Sequence, residues 1–535
     1  MRQGHLKTLR VVVSLAVLGL TTALFVDLHG AVPAALSNAL VSLQPAPALI
    51  RTGEALGWAT AGVGVVLVLT AAFGRVFCSF LCPLGTLQDI VIRLARGRGG
   101  AASQARFRAT RPRNALRYGV LAATLATAMG GSMLLVTLLD PFSAFGRIAS
   151  ALLRPLAVGL NNLATHGLEA GDLYVLAPVK LGGPGWPAVV AALLTVGLVG
   201  VMAARRGRLF CNSLCPVGTV LGLVSRLALF RVAIDRARCN HCAGCSLACK
   251  AGCIHLKTYE VDASRCVACY DCIPACPEAG VRLQWSWAPA RVAAPRAPDP
   301  PLRADPQAVS PRRRAILKDL AGMLVVAGVA GVGRARALPA APSSDPCPDP
   351  RPRPAAPPGA GSVARLNRTC TACQLCVATC PTRVLQPAFL QFGLAGLLQP
   401  RLDYAAAYCD YECVRCGEVC PTGAIRALSA TEKKRVQIGR VRFVEDLCIV
   451  VTEWTACGAC AEHCPTRAVH MVPYEGELTL PKLDNDVCVG CGACEHACPV
   501  VPIRAIVVDG EPVHLTAAPP RETRPPVHAP QDFPF

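Results

Sequence analysis

Charged residues are scarce in this chain. Asp, Glu, Lys and Arg make up only 16% of its 535 residues, whereas hydrophobic residues make up 53%. A balance this apolar excludes an ordinary soluble protein, and the length favours several domains. The net charge is +20, but much of the excess lies in arginine-rich loops beside apolar segments, which is typical of a membrane protein. The basic residues are not combined with aromatic residues in a binding platform, so nucleic-acid binding is not expected.

Signals for haem binding are also absent. No Cys-x-x-Cys-His sequence occurs, so a c-type haem is not expected. His29 and His166 are the histidines that we place near the apolar segments, and both are predicted to lie in loops. The apolar segments therefore lack a histidine pair that could hold a membrane haem.

Four apolar stretches precede residue 210 and are predicted to form transmembrane helices. They span residues 11–26, 55–73, 119–139 and 187–204. Three approach or reach the ~20 residues that cross a bilayer. The first is shorter and could be a secretory signal peptide, although the three segments that follow favour an uncleaved anchor.

Basic residues predict how these segments are oriented. Arg and Lys are concentrated before the first segment, between the second and third, and after the fourth, whereas the loop between the first two carries only Arg51. Because cytoplasmic loops carry the excess of basic residues, the amino terminus and the region after the fourth segment are predicted to be cytoplasmic.

An internal repeat marks the ends of the second and fourth apolar segments. The sequence GRVFCSFLCPLGT contains Cys78 and Cys82, and GRLFCNSLCPVGT contains Cys211 and Cys215. If a helix continues through each motif, its two cysteines share one face. We predict a redox or metal site at the membrane surface, with buried thiols in a duplicated turn as the alternative. All four thiolates could meet only if the two repeats pack together.

Cysteine is abundant, with thirty residues. A disulfide scaffold of a secreted protein is short, and this chain is long, so the spacing of the cysteines decides their use. Most fall into six quartets, of which four have two, two and three residues between successive cysteines, the spacing of bacterial [4Fe–4S] ferredoxins. The six quartets are Cys239, Cys242, Cys245 and Cys249; Cys266, Cys269, Cys272 and Cys276; Cys370, Cys373, Cys376 and Cys380; Cys409, Cys413, Cys416 and Cys420; Cys448, Cys457, Cys460 and Cys464; and Cys488, Cys491, Cys494 and Cys498.

These quartets predict six [4Fe–4S] clusters. In bacterial ferredoxins three cysteines of a run hold one cluster and the fourth reaches the neighbouring cluster. We therefore expect the first two quartets to exchange their last cysteines, Cys249 and Cys276. Zinc is the alternative, but zinc sites usually join two separated cysteine pairs. Cys253 and Cys347 are left over and are expected to be free thiols.

The cluster-binding modules are predicted to have small α+β ferredoxin-like folds. Short strands at 441–444 and 505–508 would flank the cluster loops. Because such modules have thin apolar cores, their clusters should supply much of the folding free energy.

The middle of the chain suggests a change of compartment. The arginines at 312–314 precede an apolar run at 320–333 and the small-x-small sequence at 335–337. This run is short for a spanning helix but suits an internal twin-arginine signal, with a helix that only touches the membrane as the alternative. The twin-arginine export machinery carries folded proteins, so the region from residue 365 is predicted to be periplasmic. Cleavage after Ala337 would yield two polypeptides.

These motifs resemble those of a known pair of proteins. The four apolar segments, the two Cys-x-x-x-Cys-Pro motifs and the first two quartets resemble NapH, the membrane component of the quinol dehydrogenase in periplasmic nitrate reductase systems. The twin-arginine stretch and the last four quartets resemble its exported partner NapG, or the related methylamine-utilisation protein MauM. The chain is identified as a natural fusion of a NapH-like and a NapG/MauM-like protein.

The resemblance implies that membrane quinol is the electron donor and that a periplasmic cytochrome or reductase is the acceptor. It also implies that, among the last four quartets, the first pairs with the fourth and the second with the third. Cys498 would then join the Cys370 triplet and Cys380 the Cys488 triplet. The chain departs from the family pattern by being a fusion, and by Lys250 in place of the proline that usually follows the fourth cysteine.

Two functions are therefore considered. The first is a quinol dehydrogenase component, which needs no general base or nucleophile because clusters carry the redox step. The alternative is an accessory protein that supplies electrons for maturing a periplasmic enzyme such as methylamine dehydrogenase. No residue marks the quinol site, and no cofactor ligand within the helices carries electrons between cytoplasmic and periplasmic clusters.

The predicted architecture is a membrane α-helical domain with α+β ferredoxin-like modules. Its four transmembrane helices are joined by a fifth, the internal signal or anchor helix. The predicted domains are a membrane domain (1–230), a cytoplasmic two-cluster domain (231–287), a linker (288–311), the twin-arginine segment (312–337), a proline-rich linker (338–364), a periplasmic four-cluster domain (365–515) and a disordered tail (516–535).

Overall fold

The computed structural model describes residues 5–28, 30–52, 58–97, 113–179, 185–286 and 353–519. Several predictions fall outside these ranges, namely His29, Cys347, the linker at 288–311 and the twin-arginine segment at 312–337. They stay predictions.

The amino-terminal half is built from helices. Two of them, α1 (His5–Val26) and α11 (Trp186–Arg206), are long and apolar enough to cross a membrane, and α4 (Trp58–Phe73) is a shorter apolar helix. The helices of this half are α1 (His5–Val26), α2 (Ala34–Ser42), α3 (Pro45–Thr52), α4 (Trp58–Phe73), α5 (Phe77–Phe80), α6 (Pro83–Gly97), α7 (Asn114–Met129), α8 (Leu134–Leu139), α9 (Pro141–Ile148), α10 (Arg154–Glu169), α11 (Trp186–Arg206), α12 (Leu209–Ser213) and α13 (Pro216–Val224), with a π-helical turn (Ala149–Leu153) between α9 and α10.

The third predicted transmembrane segment, residues 119–139, is not one helix. Helix α7 ends at Met129 and α8 begins at Leu134. Gly131 lies between them with φ of +85°, a left-handed conformation that glycine adopts without a steric penalty. The expectation of a continuous helix is therefore corrected, because the two glycines at 130–131 end α7 before the apolar run is complete.

The prediction that His166 lies in a loop is wrong. His166 belongs to α10, and its side chain is 77% exposed beside Glu169. Residue 166 lies outside the apolar stretches, but Pro155 is tolerated in the first turn of the helix that contains it.

The first cysteine-rich region follows α13 and contains little regular structure. Strand β1 pairs with β4, and β2 with β3, both antiparallel. The elements are β1 (Phe230–Ile234), α14 (Gly244–Ala248), β2 (Ile254–His255), β3 (Glu260–Val261) and β4 (Val281–Trp285).

The carboxyl-terminal region combines short helices with two-stranded sheets. The strands predicted at 441–444 and 505–508 are confirmed but longer, and β7 pairs with β10 so that Val441 lies opposite Val508. The elements are α15 (Val363–Thr369), α16 (Leu375–Thr379), β5 (Leu385–Pro387), β6 (Pro400–Leu402), α17 (Arg415–Glu418), α18 (Ala430–Lys433), β7 (Val436–Phe443), α19 (Ile449–Thr452), α20 (Ala459–Glu462), β8 (Val469–Pro473), β9 (Thr479–Leu483), α21 (Ala493–Ala497) and β10 (Ile506–Thr516).

The carboxyl-terminal region extends beyond its predicted boundaries. Ala355, Ala356 and Ala360, which were assigned to the linker, are fully buried in its core. At the other end, Ala517 is buried and donates its backbone N–H to the carbonyl of Arg435. Small residues thus pack where proline-rich composition suggested a stiff extended spacer, and the packed region runs from residue 353 to at least 518.

Helix α1 contacts the two cysteine-rich regions at its opposite ends. Near its amino end, Arg10 donates to Asp271, which lies in the loop of the second quartet. Near its carboxyl end, Phe25 packs on Gly146 so closely that a Cβ at Gly146 would collide with the Phe25 ring and with the carbonyl oxygen of Cys373. A rise of 1.5 Å per residue separates these ends by roughly 20 Å.

Candidate iron–sulfur and redox sites

The first two quartets lie together, and each brings its last cysteine to the other. After burial, Cys276 is the neighbour that most raises the pKa of Cys245. Burial likewise raises the pKa of Cys272, and Cys249 contributes to that shift. We name site 1 (Cys239, Cys242, Cys245 and Cys276) and site 2 (Cys266, Cys269, Cys272 and Cys249).

Cys253 lies beside site 2. It was expected to be a free thiol, either solvent-facing or buried, and it is a buried free cysteine whose Sγ lies 3.6 Å from the Sγ of Cys249. Hydrogen bonds with Cys249 and Cys266 raise its own pKa. Its spacing of four from Cys249 was the available signal.

Among the last four quartets, the structure pairs the first with the second. After burial, Cys420 is the neighbour that most raises the pKa of Cys370, and Cys380 contributes to the raised pKa of Cys416. The short helices α16 and α17 pack against each other and carry these exchanged cysteines. We name site 3 (Cys370, Cys373, Cys376 and Cys420) and site 4 (Cys409, Cys413, Cys416 and Cys380).

The third and fourth quartets pair in the same way. Cys464 contributes to the raised pKa of the buried Cys494, and Cys498 to that of Cys448. We name site 5 (Cys488, Cys491, Cys494 and Cys464) and site 6 (Cys448, Cys457, Cys460 and Cys498). This arrangement differs from the pairing implied by the family resemblance, because each fourth cysteine follows a short helix that packs on its neighbour in sequence, α16 on α17 and α20 on α21.

The loops of the four regular quartets share a strained backbone. The residues on both sides of the second cysteine have left-handed φ values, as in Ala372 (49°) and Gln374 (65°) around Cys373. Such conformations in residues other than glycine persist only when the surroundings impose them. The equivalent residues are His241, Ala243, Ala268, Tyr270, Gly490 and Gly492.

The donors of these sites fit [4Fe–4S] clusters. Backbone N–H groups donate to cysteine sulfurs, for example Gly280 to Cys276 at 3.3 Å and Ile425 to Cys420 at 3.4 Å, as in cluster sites whose potential is tuned by such bonds. Each site joins three closely spaced cysteines to one from a neighbouring quartet, whereas zinc sites usually join two separated pairs.

Sites 3 to 6 form a succession. Site 3 lies beside the helices, since the Cys373 carbonyl approaches Gly146. Cys376 of site 3 and Cys416 of site 4 lie close together. Cys409 of site 4 donates its backbone N–H to the carbonyl of Cys491 of site 5 at 2.9 Å. Site 6 follows through the exchanged cysteines and adjoins the exposed Trp454.

The two Cys-x-x-x-Cys-Pro motifs adopt the same local structure. The helix does not continue through either motif: α5 and α12 end, and the second cysteine precedes α6 or α13. Cys82 and Cys215 each accept a hydrogen bond from the backbone N–H three residues on, at 3.3 Å, as helix-capping side chains do. The proline after each cysteine occupies the first helical position, where its missing N–H costs nothing.

The two copies pack together and exchange their arginines. Arg75 of the first copy donates to the carbonyl of Cys211 at 2.9 Å, and Arg208 of the second donates to the carbonyl of Cys78 at 3.0 Å. The guanidinium groups lie 3.7 Å and 3.9 Å from the sulfurs of Cys78 and Cys211, respectively. The repeats thus meet, as the prediction of a four-cysteine site required.

This packing explains why each motif contains a glycine, Gly85 in the first copy and Gly218 in the second. A Cβ at Gly85 would approach the carbonyl of Cys78 and lie 2.7 Å from Nη1 of Arg208. A Cβ at the equivalent Gly218 would meet Cys211 and Arg75 in the same way. A larger residue at either position would push the exchanged arginine out of place.

The four motif cysteines lie in a low-polarity environment. Each is 4–5% exposed. Burial raises the pKa of Cys82 and of Cys215, and it raises that of Cys78 although Arg75 offsets part of the shift. Unless a metal binds them or they oxidise, the thiols of Cys78, Cys82 and Cys215 are held protonated.

The buried motif thiols are therefore expected to resist alkylation. In the folded protein, a soluble maleimide should modify them about two orders of magnitude more slowly than an exposed thiol, because reaction requires both exposure and the thiolate. L227C provides the matched control, since Leu227 is 78% exposed just beyond α13. Mass spectrometry of timed samples measures both rates. Equal rates would contradict the buried site.

A network of ion pairs joins these motifs to the first cysteine-rich region. Asp89 on α6 lies 2.6 Å from Arg10, 2.8 Å from Arg208 and 3.4 Å from Lys250. Lys250 also lies 2.8 Å from Asp271. Burial alone would raise the pKa of Asp89, but Arg208, Lys250 and Arg10 lower it well below its usual range. Sequence analysis noticed Lys250 only as a departure from proline.

Comparison with protein families assigns iron–sulfur chemistry to these regions. A model described as a 4Fe-4S binding domain matches residues 55–100 and 187–236, which contain the two motifs. A model described as a 4Fe-4S dicluster domain matches residues 454–501, which contain most of sites 5 and 6. The chain is thus an iron–sulfur protein, and its relatives identify it as one that transfers electrons.

Among the relatives, the methylamine utilization ferredoxin-type protein MauM of Methylobacillus flagellatus is 30% identical over 34% of this chain and 76% of its own length. The chain belongs to this family of ferredoxin-type proteins. It is also similar to the ferredoxin-type protein NapH of Haemophilus influenzae, at 28% identity over 35% of this chain and 52% of the relative. MauN of Paracoccus denitrificans is 28% identical over 38% of this chain and 60% of the relative.

The similarity has a limited extent. The chain spans about half to three fifths of the length of NapH and MauN. No solved structure matches it. Together with the apolar helices α1 and α11, the similarity to NapH indicates a membrane protein, and the predicted resemblance to NapH and MauM is confirmed.

Proposed function

We propose that this chain is a natural fusion of a NapH-like and a MauM-like protein, and that it oxidises membrane quinol and passes the electrons through [4Fe–4S] clusters to a periplasmic acceptor. The observation that carries the proposal is the succession of sites 3 to 6, which begins beside the membrane helices and ends at an exposed surface. Six quartets support six clusters, with the 24 cysteines of sites 1 to 6 as their ligands.

The reaction balances without a further reagent. Oxidation of a quinol to a quinone would release two protons to water and two electrons. The cysteines of sites 1 to 6 would hold clusters that, when bound, supply one-electron chemistry and could accept these electrons one at a time. The chain's own residues bury the cysteines of site 3 and hold the six sites in order. A periplasmic cytochrome or reductase would be the final acceptor.

The proposed topology has sites 1 and 2 in the cytoplasm and sites 3 to 6 in the periplasm. It is supported by the contacts of the two cysteine-rich regions with opposite ends of α1 and by the basic loops. In this proposal the twin-arginine segment at 312–337 directs the carboxyl-terminal region across the membrane. Cleavage near Ala337 would leave the two regions joined by their contacts alone.

The motif cysteines are proposed as a redox or metal site between sites 2 and 3. They share one continuous buried core with Cys269 of site 2 and Cys373 of site 3. Ser79, within the first motif, donates to the carbonyl of Ala268 in the loop of site 2 at 3.2 Å. A centre here would address the lack of cofactor ligands within the helices, which left the two cluster regions unconnected.

The alternative function is an accessory one, in which the chain supplies electrons for maturing a periplasmic enzyme. The names of the MauM and MauN relatives, which refer to methylamine utilization, favour it. The two functions share the relay of clusters and differ in the electron donor and the final acceptor.

Quinol is expected to reduce the clusters of the purified full-length protein. Electron paramagnetic resonance in detergent should detect reduced [4Fe–4S] signals after addition of a short-chain quinol, because quinol needs no other subunit in this proposal. Dithionite provides the control for total reducible cluster. Signals that appear with dithionite but not with quinol would contradict direct quinol oxidation and favour the accessory function.

A further inference from the structure

A cavity of about 440 Å³ lies between the helices and the carboxyl-terminal region. Helix α11 forms one wall, with Val190, Ala191 and Leu194 among its lining residues, and α8 and α9 form another. The third wall is formed by Phe389, Leu397 and Leu398 of the carboxyl-terminal region. Its lining is almost entirely apolar, so its contents must be largely apolar too.

One cation interrupts this apolar lining. Arg147 lines the cavity and is itself 1% exposed. Its Nη1 donates to the carbonyl of Thr137 at 2.5 Å, and its Nη2 donates to that of Leu138 at 3.4 Å. Within the described part of the chain its Nε has no hydrogen-bond partner. Leaving a buried donor unpaired is costly, so this Nε–H is available to a ligand oxygen.

The cavity is open to the membrane side of α11. Val190, Leu194 and Leu198 line it and are 44%, 68% and 56% exposed. No charged residue stands among them, so a molecule with an apolar tail can enter from the lipid. Trp186 at the start of α11 packs against Phe389 with 5.9 Å between ring centroids and ring planes tilted by 45°, and it joins the two walls.

The cavity also adjoins site 3. Gly146, next to Arg147, touches the backbone of Cys373, and Ser150 one turn further along donates to Gln374 at 2.8 Å. A ligand in the cavity is therefore separated from the first site of the relay only by α9. An electron donor bound here would need no path across the membrane to reach sites 3 to 6.

We infer that this cavity binds the head group of a lipid-soluble quinol. The inference rests on the proposed function and adds the place where the quinol is bound. Its ring fits between the apolar walls, one ring oxygen accepts a hydrogen bond from Arg147, and its isoprenoid tail leaves along α11 into the bilayer. The site needs both halves of the chain, because Phe389, Leu397 and Leu398 complete it.

A second cavity provides the rival location. It has about 500 Å³ and lies between α1, α6 and the loops of sites 1 and 2, lined by Arg10, Leu15, Asp89 and Lys250 among others. Of its charged groups, Arg10, Asp89 and Lys250 are already joined in one ion-pair network. A neutral quinol head group gains little from a cation whose carboxylate partner is in place, so we favour the cavity at Arg147.

The location is tested with a photoreactive azidoquinone on the full-length protein in nanodiscs. Labelled peptides are expected to map to residues 186–199 or 389–398, and an excess of unmodified quinone should compete. Ala191→Trp fills the cavity and should reduce labelling at a fixed concentration by about tenfold or more. Leu15→Trp in the second cavity is the matched control and should leave labelling unchanged.

The second readout separates this inference from the proposed function. With Ala191→Trp, quinol should no longer reduce the clusters, while dithionite should still give the full signal and the iron content should be that of the unaltered protein. Labelling at residues 7–15 or 86–93, or no labelling at all, would overturn the location. If quinol reduces Ala191→Trp as fast as the unaltered protein, the cavity is wrong and quinol oxidation stands. If quinol fails to reduce the unaltered protein, both fail.

Discussion

Replacing Arg208 with methionine is expected to lower the free energy of unfolding by about 3 kcal/mol or more, the low end of the cost of breaking a buried ion pair. Arg208 is fully buried, and its Nε and Nη2 both contact the carboxylate of Asp89. Its Nη1 also satisfies the carbonyl of Cys78. Methionine fills part of the space but leaves a buried carbonyl and a carboxylate with fewer partners.

Arg205→Met is the control for this substitution, since Arg205 is an exposed arginine in the last turn of α11. The midpoint of chemical unfolding in detergent micelles measures both variants. A loss below about 1 kcal/mol, the value of an exposed ion pair, would contradict the network.

The loss of unfolding free energy caused by Arg208→Met should also become smaller in acid. The pKa of Asp89 is lowered in the folded protein, so its contribution is present above the unfolded pKa of about 4 and is lost as the pH falls through the folded value.

A pair of double substitutions is expected to identify which cysteines share a cluster. Cys373→Ala and Cys420→Ala each remove a ligand from site 3, and each should cost about four iron atoms per chain if the cluster is lost. Because both belong to one site, the double variant should lose the same four and no more. Iron and acid-labile sulfide analysis of the purified protein measures the loss.

The control pair combines Cys373→Ala with Cys498→Ala. The structure assigns these residues to different sites, 3 and 6, so this double variant should lose about eight iron atoms. The pairing implied by the family resemblance, which joins Cys498 to the Cys370 triplet, would give the opposite result. A loss of about eight from the first pair and about four from the second would therefore contradict the arrangement of sites 3 to 6.

The six quartets and the exchange between the first two could be predicted from the sequence, but the partners within the last four could not. Spacing alone indicates that Cys370, Cys373 and Cys376 hold one cluster, since a loop of that length wraps around it. Which fourth cysteine completes the site depends on how short helices such as α16 and α17 pack, and nothing local to either helix encodes that. The same holds for Cys253, whose contact with Cys249 depends on a turn between them.

In the helical half, too, some features could be predicted from the sequence and others could not. Hydropathy identified the apolar segments, but the break after Met129 depends on two glycines that a sliding average of apolarity does not detect. The repeated motif was visible in the sequence, whereas the exchange of Arg75 and Arg208 between the copies was not, because it is a contact between distant segments. The cavity at Arg147 was beyond sequence analysis for the same reason, since its walls come from three separate parts of the chain.

The exchanged arginines bear on how the protein is made. Until Arg208 has emerged from the ribosome and entered its place, the turn that follows α4 keeps the Cys78 carbonyl without its donor, so the first copy of the motif cannot mature before the second. The amino-terminal half must then fold as one cooperative unit during biosynthesis. A chain interrupted between the copies should be recognised by quality-control proteases, and two fragments divided there should recover activity only when they are produced in the same membrane.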